Sequence, residues 1–180
     1  MEVGLPARTP GTAVDMTRLD KVIDYPARDM TITVQAGIRV SRLQEILASE
    51  GQTLPLDIPW PDKATVGGLL ACNVSGSRRL AHGTPRDFVI GLTVVDDHGK
   101  LTKSGGRVVK NVAGYDMAKL HIGAHGTLGP MAQVTLKVRP LASKHESGRL
   151  SRANSGVGYV SSEPVRVDSV EAVNCRLLAT

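Results

Sequence analysis

Apolar and polar residues alternate along two stretches of the chain, as they do in a strand that buries one face. In the stretch Met30–Ala36 this places Ile32 and Val34 on the same side. The run 132–139 has an apolar residue at every second position until Pro140 ends it. Both runs are therefore predicted as half-buried strands.

A β-hairpin is predicted between these two strands. The segment Phe88–Val95 is rich in β-forming residues, and the sequence DDHG that follows at 96–99 is typical of a turn. Lys100–Lys103 alternates again, so it is expected to pair with Phe88–Val95.

One helix has clear sequence signals. Leu43 and Leu47 lie at helical spacing, Ser41 and Gln44 match a capping box, and Gly51 marks the end. Together with the strands, this helix predicts an α+β fold.

The remaining segments have weaker patterns. Residues 1–13 are predicted as a loop or extended segment, and a short helix is predicted around Met117 and Leu120. The stretch 141–164 is polar and rich in Ser, Gly and Arg, which is typical of a linker, and Val165–Leu178 is predicted as a lone strand. Residues 1–140 would then form the main domain.

Composition excludes several function classes. The 180 residues include 22 Lys and Arg against 17 Asp and Glu, giving a net charge of +5. Charge of this sign attracts nucleotides, acidic membranes or nucleic acid. Nucleic-acid binding is not expected, because Trp60, Phe88 and three tyrosines are too few to stack on bases. Cys72 and Cys175 form no metal-ligand pattern, so no metal site is expected.

No apolar run has the roughly 20 residues of a membrane-spanning helix, and no secretory signal pattern follows Met1. A cytoplasmic location is therefore expected.

The most informative chemistry lies in a segment that combines glycines with hydroxyl and amide side chains. A diphosphate group requires several N–H donors, and glycine allows the backbone to approach it closely. A helix that begins at Gly68 would add its dipole. The alternative is a tight turn with local capping, which would need no ligand. The candidate residues are Thr65, Gly67, Gly68, Asn73, Ser75 and Gly76.

The segment does not match the GxGxxG dinucleotide fingerprint or the GxxxxGK[ST] phosphate loop. Neither nicotinamide binding nor ATP binding is therefore indicated.

Four runs of sequence together resemble a known family: ATVGG, GTPRDFVIGL, GGRVVKNVAGYD and GTLG. In this order they are similar to the FAD-binding subunit of bacterial glycolate oxidase. That subunit belongs to the vanillyl-alcohol-oxidase flavoproteins, which have a PCMH-type FAD-binding domain. The resemblance covers roughly Val14–Pro140. It implies an incomplete first subdomain and a second subdomain with a mixed or antiparallel sheet and flanking helices.

The resemblance also implies site residues for FAD. Thr65, Gly67 and Gly68 would lie at the diphosphate, and Asn73, Ser75 and Gly76 would close around the flavin. Five more residues match the family's later motifs: Gly83, Asp87, Gly126, Thr127 and Leu128. Leu128 would contribute packing only.

Several polar residues keep two interpretations. Arg86, beside Asp87, is either a site residue or a solvated charge. Lys110, Asn111 and Tyr115 form a distinctive run without an assigned role, and Asn111 could equally belong to a turn.

His125 is a candidate group near the substrate or the flavin, although a structural role is the alternative. Cys72 is interpreted as a small buried thiol rather than a flavin linkage or a redox group. No catalytic residue is assigned.

The resemblance implies an oxidoreductase subunit that oxidises a 2-hydroxy acid such as glycolate. Its partners would be a second flavin subunit and an iron–sulfur subunit, with attachment to the inner face of the membrane through these partners. The family's first strand and Gly-rich loop should precede Val14, and a substrate-covering cap domain should follow, starting near residue 165. The chain is thus expected to be truncated at both ends. A non-catalytic flavin-domain remnant or assembly module is the alternative.

Overall fold

The computed structural model describes residues 13–106, 116–141, 150–153 and 156–159. The predicted loop 1–13 lies outside these residues except for Ala13. The run Lys110–Tyr115 and the predicted strand Val165–Leu178 also lie outside them.

The described elements are mostly short. The strands are β1 (Val22–Asp24), β2 (Thr31–Gln35), β3 (Gln52–Thr53), β4 (Val89–Val95), β5 (Leu101–Gly105), β6 (Met131–Lys137), β7 (Arg139–Pro140), β8 (Leu150–Ala153) and β9 (Gly156–Tyr159). The helices are α1 (Val40–Ser49), α2 (Val66–Cys72), α3 (Arg79–His82), α4 (Pro85–Phe88) and α5 (Ala118–His121), with a 3-10 turn at Ala27–Asp29.

Five strands form the central sheet, in the order β1-β2-β6-β4-β5. Every neighbouring pair is antiparallel. A second, two-stranded sheet pairs β3 with β7. The predicted α+β fold with an antiparallel sheet is confirmed.

One face of the sheet carries the apolar core. Ile32 pairs with Leu136 and Val34 pairs with Val134, so these four side chains share a face. All four are buried, together with Leu43 and Leu47 of α1 and Leu69 and Leu70 of α2. The alternation seen in the sequence is therefore the alternation between the core and the opposite face.

The opposite face is partly polar. Thr33 pairs with Thr135, and their hydroxyl oxygens lie 3.0 Å apart. Such a cross-strand hydrogen bond satisfies side chains that the sheet partly buries.

The predicted hairpin and the last predicted strand are confirmed. Strand β4 pairs with β5 across the turn at 96–99, where the Asp96 carboxylate accepts hydrogen bonds from the N–H groups of His98 and Lys100. Strand β6 begins at Met131, one residue before the alternating run. After β6, residues 139–140 pair with β3.

The predicted capping box of α1 is wrong. The helix begins at Val40, so Ser41 lies inside its first turn and Arg39 is the N-cap residue. The Gln44 side chain instead donates to the Leu54 carbonyl at 2.6 Å and accepts from the Leu54 N–H at 3.2 Å. Gln44 therefore holds the chain after β3 against the helix.

Residues through Leu141 belong to one compact unit, and those from Ala142 onward belong to a second. In the second unit, β8 and β9 form an antiparallel hairpin within the segment that was predicted as a linker. The domain boundaries at residues 140 and 164 stay a prediction.

Helices that could cross a membrane were not found within the described residues.

Candidate functional site

Helix α2 lies at the centre of the predicted site. Its N-cap is Thr65, whose hydroxyl accepts a hydrogen bond from the Gly68 N–H at 3.1 Å. The helix thus begins at Val66, and the predicted start at Gly68 is wrong. Gly68 lies in the first turn, where its N–H is used by the cap.

The other first-turn N–H groups of α2 also have acceptors within the protein. Val66 donates to the Ile38 carbonyl and Gly67 to the Ala36 carbonyl, at 2.9 and 2.6 Å. Leu69 donates to the Thr65 carbonyl at 2.9 Å. In this arrangement the first turn of α2 has no backbone N–H left to donate to a diphosphate. Gly67 and Gly68 can then contribute only by leaving space for a ligand, and Thr65 contributes through its side chain.

The two glycines of α2 serve different purposes. A Cβ on Gly67 would lie 3.0 Å from the Ala36 carbonyl oxygen, so glycine allows the helix to approach the end of β2. Within the described part of the chain, a Cβ on Gly68 would meet only the Thr65 hydroxyl, at 3.1 Å, and Gly68 is exposed. Gly68 therefore leaves an open surface on the helix.

Two grooves meet at this open surface. One, which we name the tryptophan groove, encloses about 490 Å³. It is mainly apolar and is lined by Ile58, Pro59, Trp60, Lys63, Ala64, Thr65, Gly68, Leu69, Cys72 and Val74.

The other, which we name the N-terminal groove, encloses about 510 Å³. It is lined by Val14, Asp15, Met16, Thr17, Ala36, Thr65, Gly67, Gly68, Ala71, Gly126, Gly129, Pro130 and Met131. Each groove is in the size range of small-molecule sites, and mainly apolar walls with a few polar groups are typical of them. Thr65 and Gly68 line both grooves, so a long ligand could cross from one to the other over α2.

The loop after α2 is held by a residue that sequence reasoning missed. The Asp57 carboxylate accepts hydrogen bonds from the Ser77 hydroxyl at 3.1 Å and the Arg78 N–H at 2.9 Å. It also pairs with the Arg78 guanidinium at 3.1 Å. A Cβ on Gly76 would lie 2.4 Å from the Asp57 Cβ, so only glycine fits there without movement.

Asn73 and Ser75 flank the wall of the tryptophan groove. Asn73 is the C-cap of α2 in the left-handed conformation, with φ of 49°, and it is exposed. Ser75 follows Val74, which lines the groove. The structure therefore brings Thr65 and Gly68 together at the groove, whereas Asn73 and Ser75 line neither groove.

Gly83 and Asp87 line neither groove and have a local structural use. The Asp87 carboxylate accepts hydrogen bonds from the Thr84 N–H at 2.7 Å and its hydroxyl at 2.9 Å, forming a capping box at the start of α4. These two hydrogen bonds lower the pKa of Asp87 below its ordinary value, and the bond from the backbone N–H has the larger effect. Gly83 has φ of 96°, and a Cβ there would lie 2.8 Å from Asp87 Oδ2.

Gly126, Thr127 and Leu128 form a turn at the N-terminal groove. Gly126 lines the groove, and the Thr127 hydroxyl donates to the Ala124 carbonyl at 2.7 Å. Leu128 is 46% exposed, so it adds little to the core. His125 is exposed, and its N–H donates to the Ala71 carbonyl at 2.9 Å, which ties the turn to α2.

The family model described as "FAD binding domain" matches residues 2–105, which include α2, the whole tryptophan groove and the Asp57 loop. Glycolate oxidase subunit GlcE of Escherichia coli (strain K12) is 37% identical over 131 residues, covering 72% of this chain and 37% of that protein. D-2-hydroxyglutarate dehydrogenase of Xanthomonas citri pv. viticola is 36% identical over 125 residues, covering 69% of this chain and 26% of that protein.

A solved structure of alkyldihydroxyacetonephosphate synthase is also similar. It has a TM-score of 0.62 at 28% identity and covers 72% of this chain and 23% of the synthase. The chain thus spans between 23% and 37% of the length of these similar proteins.

Proposed function

The chain belongs to the FAD-binding domain family, and from that premise we propose that it is the FAD-binding part of an oxidoreductase that oxidises a 2-hydroxy acid such as glycolate. FAD is the cofactor of the family. The names of two relatives support the substrate class, because glycolate and 2-hydroxyglutarate are both 2-hydroxy acids.

The observation that carries this proposal is the junction of the two grooves over α2. FAD is a long molecule with a ring system at each end and a diphosphate between them. Two apolar grooves that share Thr65 and Gly68 suit such a shape, since Gly68 has no side chain to block the passage. The residues present therefore fit the cofactor.

Within this site we assign roles by position. Thr65 and Gly68 would lie under the middle of the cofactor, and the exposed side of Gly67 would lie beside it. Asn73, Ser75 and Gly76 would approach it from the loop that Asp57 holds.

Gly126 would contact the part of the cofactor that lies in the N-terminal groove. The N–H groups of Gly126 and Leu128 have no acceptor within the described part of the chain, so they can donate to oxygens of the cofactor. Thr127 would hold the turn. Gly83 and Asp87 would act at a distance by fixing the start of α4.

When bound, FAD supplies the acceptor for the hydride equivalent that leaves the hydroxy acid. The chain's own residues would bind and orient the cofactor and exclude water from its ring. A carboxylate-binding residue for the substrate is not assigned within the described residues.

We also propose that this chain acts with partner subunits, which would include a second flavin subunit and an iron–sulfur subunit that receive the electrons. The support is the name of the E. coli relative, which is itself a subunit. A cytoplasmic location, at the inner face of the membrane through these partners, belongs to the same proposal.

The first test is the visible absorption spectrum of the purified chain, followed by titration with FAD. We expect flavin bands or saturable binding of added FAD. A folded chain that binds no FAD would contradict the proposal and favour a non-catalytic assembly module. If FAD binds, glycolate and other 2-hydroxy acids should bleach the flavin bands when the partner subunits are present, whereas 2-hydroxy acids that leave them unchanged would remove the proposed substrate class.

A further inference from the structure

The chain contains one tryptophan, and its placement is unusual. The Trp60 side chain is 65% exposed, although large apolar side chains nearby, such as Leu56 and Leu69, are buried. Its backbone has φ of 49°, in the left-handed region that bulky residues rarely adopt. A residue that is both strained and exposed is a candidate for function.

Four contacts fix the backbone around Trp60. The Trp60 carbonyl accepts hydrogen bonds from the N–H groups of Lys63 and Ala64, both at 2.9 Å. The Pro61 carbonyl accepts the N–H of Ser41, and the Ala64 carbonyl accepts the N–H of Val40, so the loop is tied to the first turn of α1. The indole is therefore presented on an anchored loop rather than on a free one.

Trp60 lines the tryptophan groove together with a cationic residue. Lys63 lines the same groove, and Thr65 and Gly68 form its boundary with the N-terminal groove. An indole, apolar walls and a lysine in the same groove together suit a planar heteroaromatic ring that carries negative charge on an attached chain.

We propose that Trp60 stacks on a ring of bound FAD and closes the outer end of the tryptophan groove. This inference rests on the proposed FAD site and adds a residue to it. The ring is either the isoalloxazine or the adenine of FAD, and both offer a flat π surface to the indole.

The test compares the variants Trp60→Leu and Trp60→Phe with the wild-type chain. Leucine keeps apolar bulk without a ring, whereas phenylalanine keeps a smaller ring. Leu80→Ala is the matched control, because Leu80 is 94% exposed and lines neither groove. Far-UV circular dichroism checks that each variant is folded, and dissociation constants are measured for FAD, riboflavin and ADP by equilibrium dialysis.

We expect Trp60→Leu to weaken FAD binding by roughly tenfold or more, which is the scale of one stacked ring. Trp60→Phe should recover most of this loss, and Leu80→Ala should bind FAD like the wild type. A parallel loss for riboflavin but not ADP would assign the isoalloxazine, and a loss for ADP but not riboflavin would assign the adenine.

Wild-type affinity for FAD in a folded Trp60→Leu chain would overturn the stacking role and leave the proposed function standing. A loss of affinity that Trp60→Phe does not recover would also overturn it, because a ring contact should survive in phenylalanine. Failure of the folded wild-type chain to bind FAD would overturn both proposals.

Discussion

At the scale of single residues, Asp87 is expected to stabilise the fold rather than to contact the cofactor. Its carboxylate accepts two hydrogen bonds from Thr84 at the start of α4, and these lower its pKa. Replacing it in Asp87→Ala removes this cap, which should cost about 0.5 to 2 kcal/mol of unfolding free energy at pH 7. Urea unfolding measures the loss.

The pH dependence of this loss has a defined sign. Because the folded pKa of Asp87 lies below the unfolded value of about 3.9, its stabilisation is complete above that value and disappears as pH falls through the folded pKa. The difference between wild type and Asp87→Ala should therefore shrink below about pH 4. Asp97→Ala, in the exposed turn of the hairpin, is the control and should show little loss. An equal loss at pH 7 and pH 3.5 would argue against the cap.

Gly76 is expected to be intolerant of any side chain. A Cβ there would lie 2.4 Å from the Asp57 Cβ, and the carboxylate cannot move away without losing its bonds to Ser77 and Arg78. Gly76→Ala should therefore destabilise the fold by about 1 to 3 kcal/mol and weaken FAD binding.

Gly106→Ala is the matched control for Gly76→Ala. A Cβ on Gly106 would meet no atom of the described residues within 4 Å, and the φ of Gly106 is not in the left-handed region. The thermal unfolding midpoints of the two variants are compared, and Gly76→Ala should have the lower Tm. Equal stability of the two would show that the loop after α2 adjusts freely.

Sequence patterns identified residue types better than residue roles. The glycines and Thr65 were found because glycine-rich runs are visible in the sequence, and Thr65 does cap α2. Asp57 and Trp60 were missed because their partners are about 20 residues away or consist of backbone atoms, and no local pattern encodes such contacts.

At the scale of elements, the role of Thr65 as the cap of α2 can be separated from its proposed contact with FAD. The Thr65 hydroxyl accepts the Gly68 N–H, so Thr65→Ala should lower stability by about 0.5 to 2 kcal/mol even without cofactor. Thr65→Ser keeps the hydroxyl and should retain most of the stability that Thr65→Ala loses. Chemical denaturation of the FAD-free chain tests this, and similar losses in both variants would mean that the methyl group, not the cap, matters.

Strands were easier to predict than helix starts in this chain. Strands β2 and β6 bury one face, so the apolar residues that alternate with polar ones in their sequences are the residues that pack in the core. Helix α1 begins at Val40, and its N-cap residue Arg39 makes no side-chain cap, since the first N–H groups of the helix donate to the Ala64 and Pro61 carbonyls. Because these two carbonyls belong to a loop that is distant in sequence, the capping-box pattern at Ser41 and Gln44 did not predict how the helix begins.

At the scale of the whole molecule, fold and cofactor followed from the combination of motifs, whereas substrate and partners did not. The described residues pack one antiparallel sheet against α1 and α2, and the proposed site lies along α2. The chain spans only 23% to 37% of the length of these similar proteins, so groups elsewhere in such proteins can decide what is oxidised.

FAD should stabilise the whole compact unit that ends at Leu141, because the two grooves of this unit are built from segments far apart in sequence. The N-terminal groove joins Val14–Thr17 to Gly126–Met131, while the tryptophan groove joins the loop at Trp60 to α2. A ligand bound across them stabilises only the folded state, by about 2.7 kcal/mol when its concentration is 100 times Kd. Differential scanning fluorimetry should therefore show Tm rising steadily with FAD concentration. Riboflavin or ADP at matched concentration should raise Tm less, since each would occupy one groove. A rise as large with either half as with FAD would mean that the cofactor does not span both grooves.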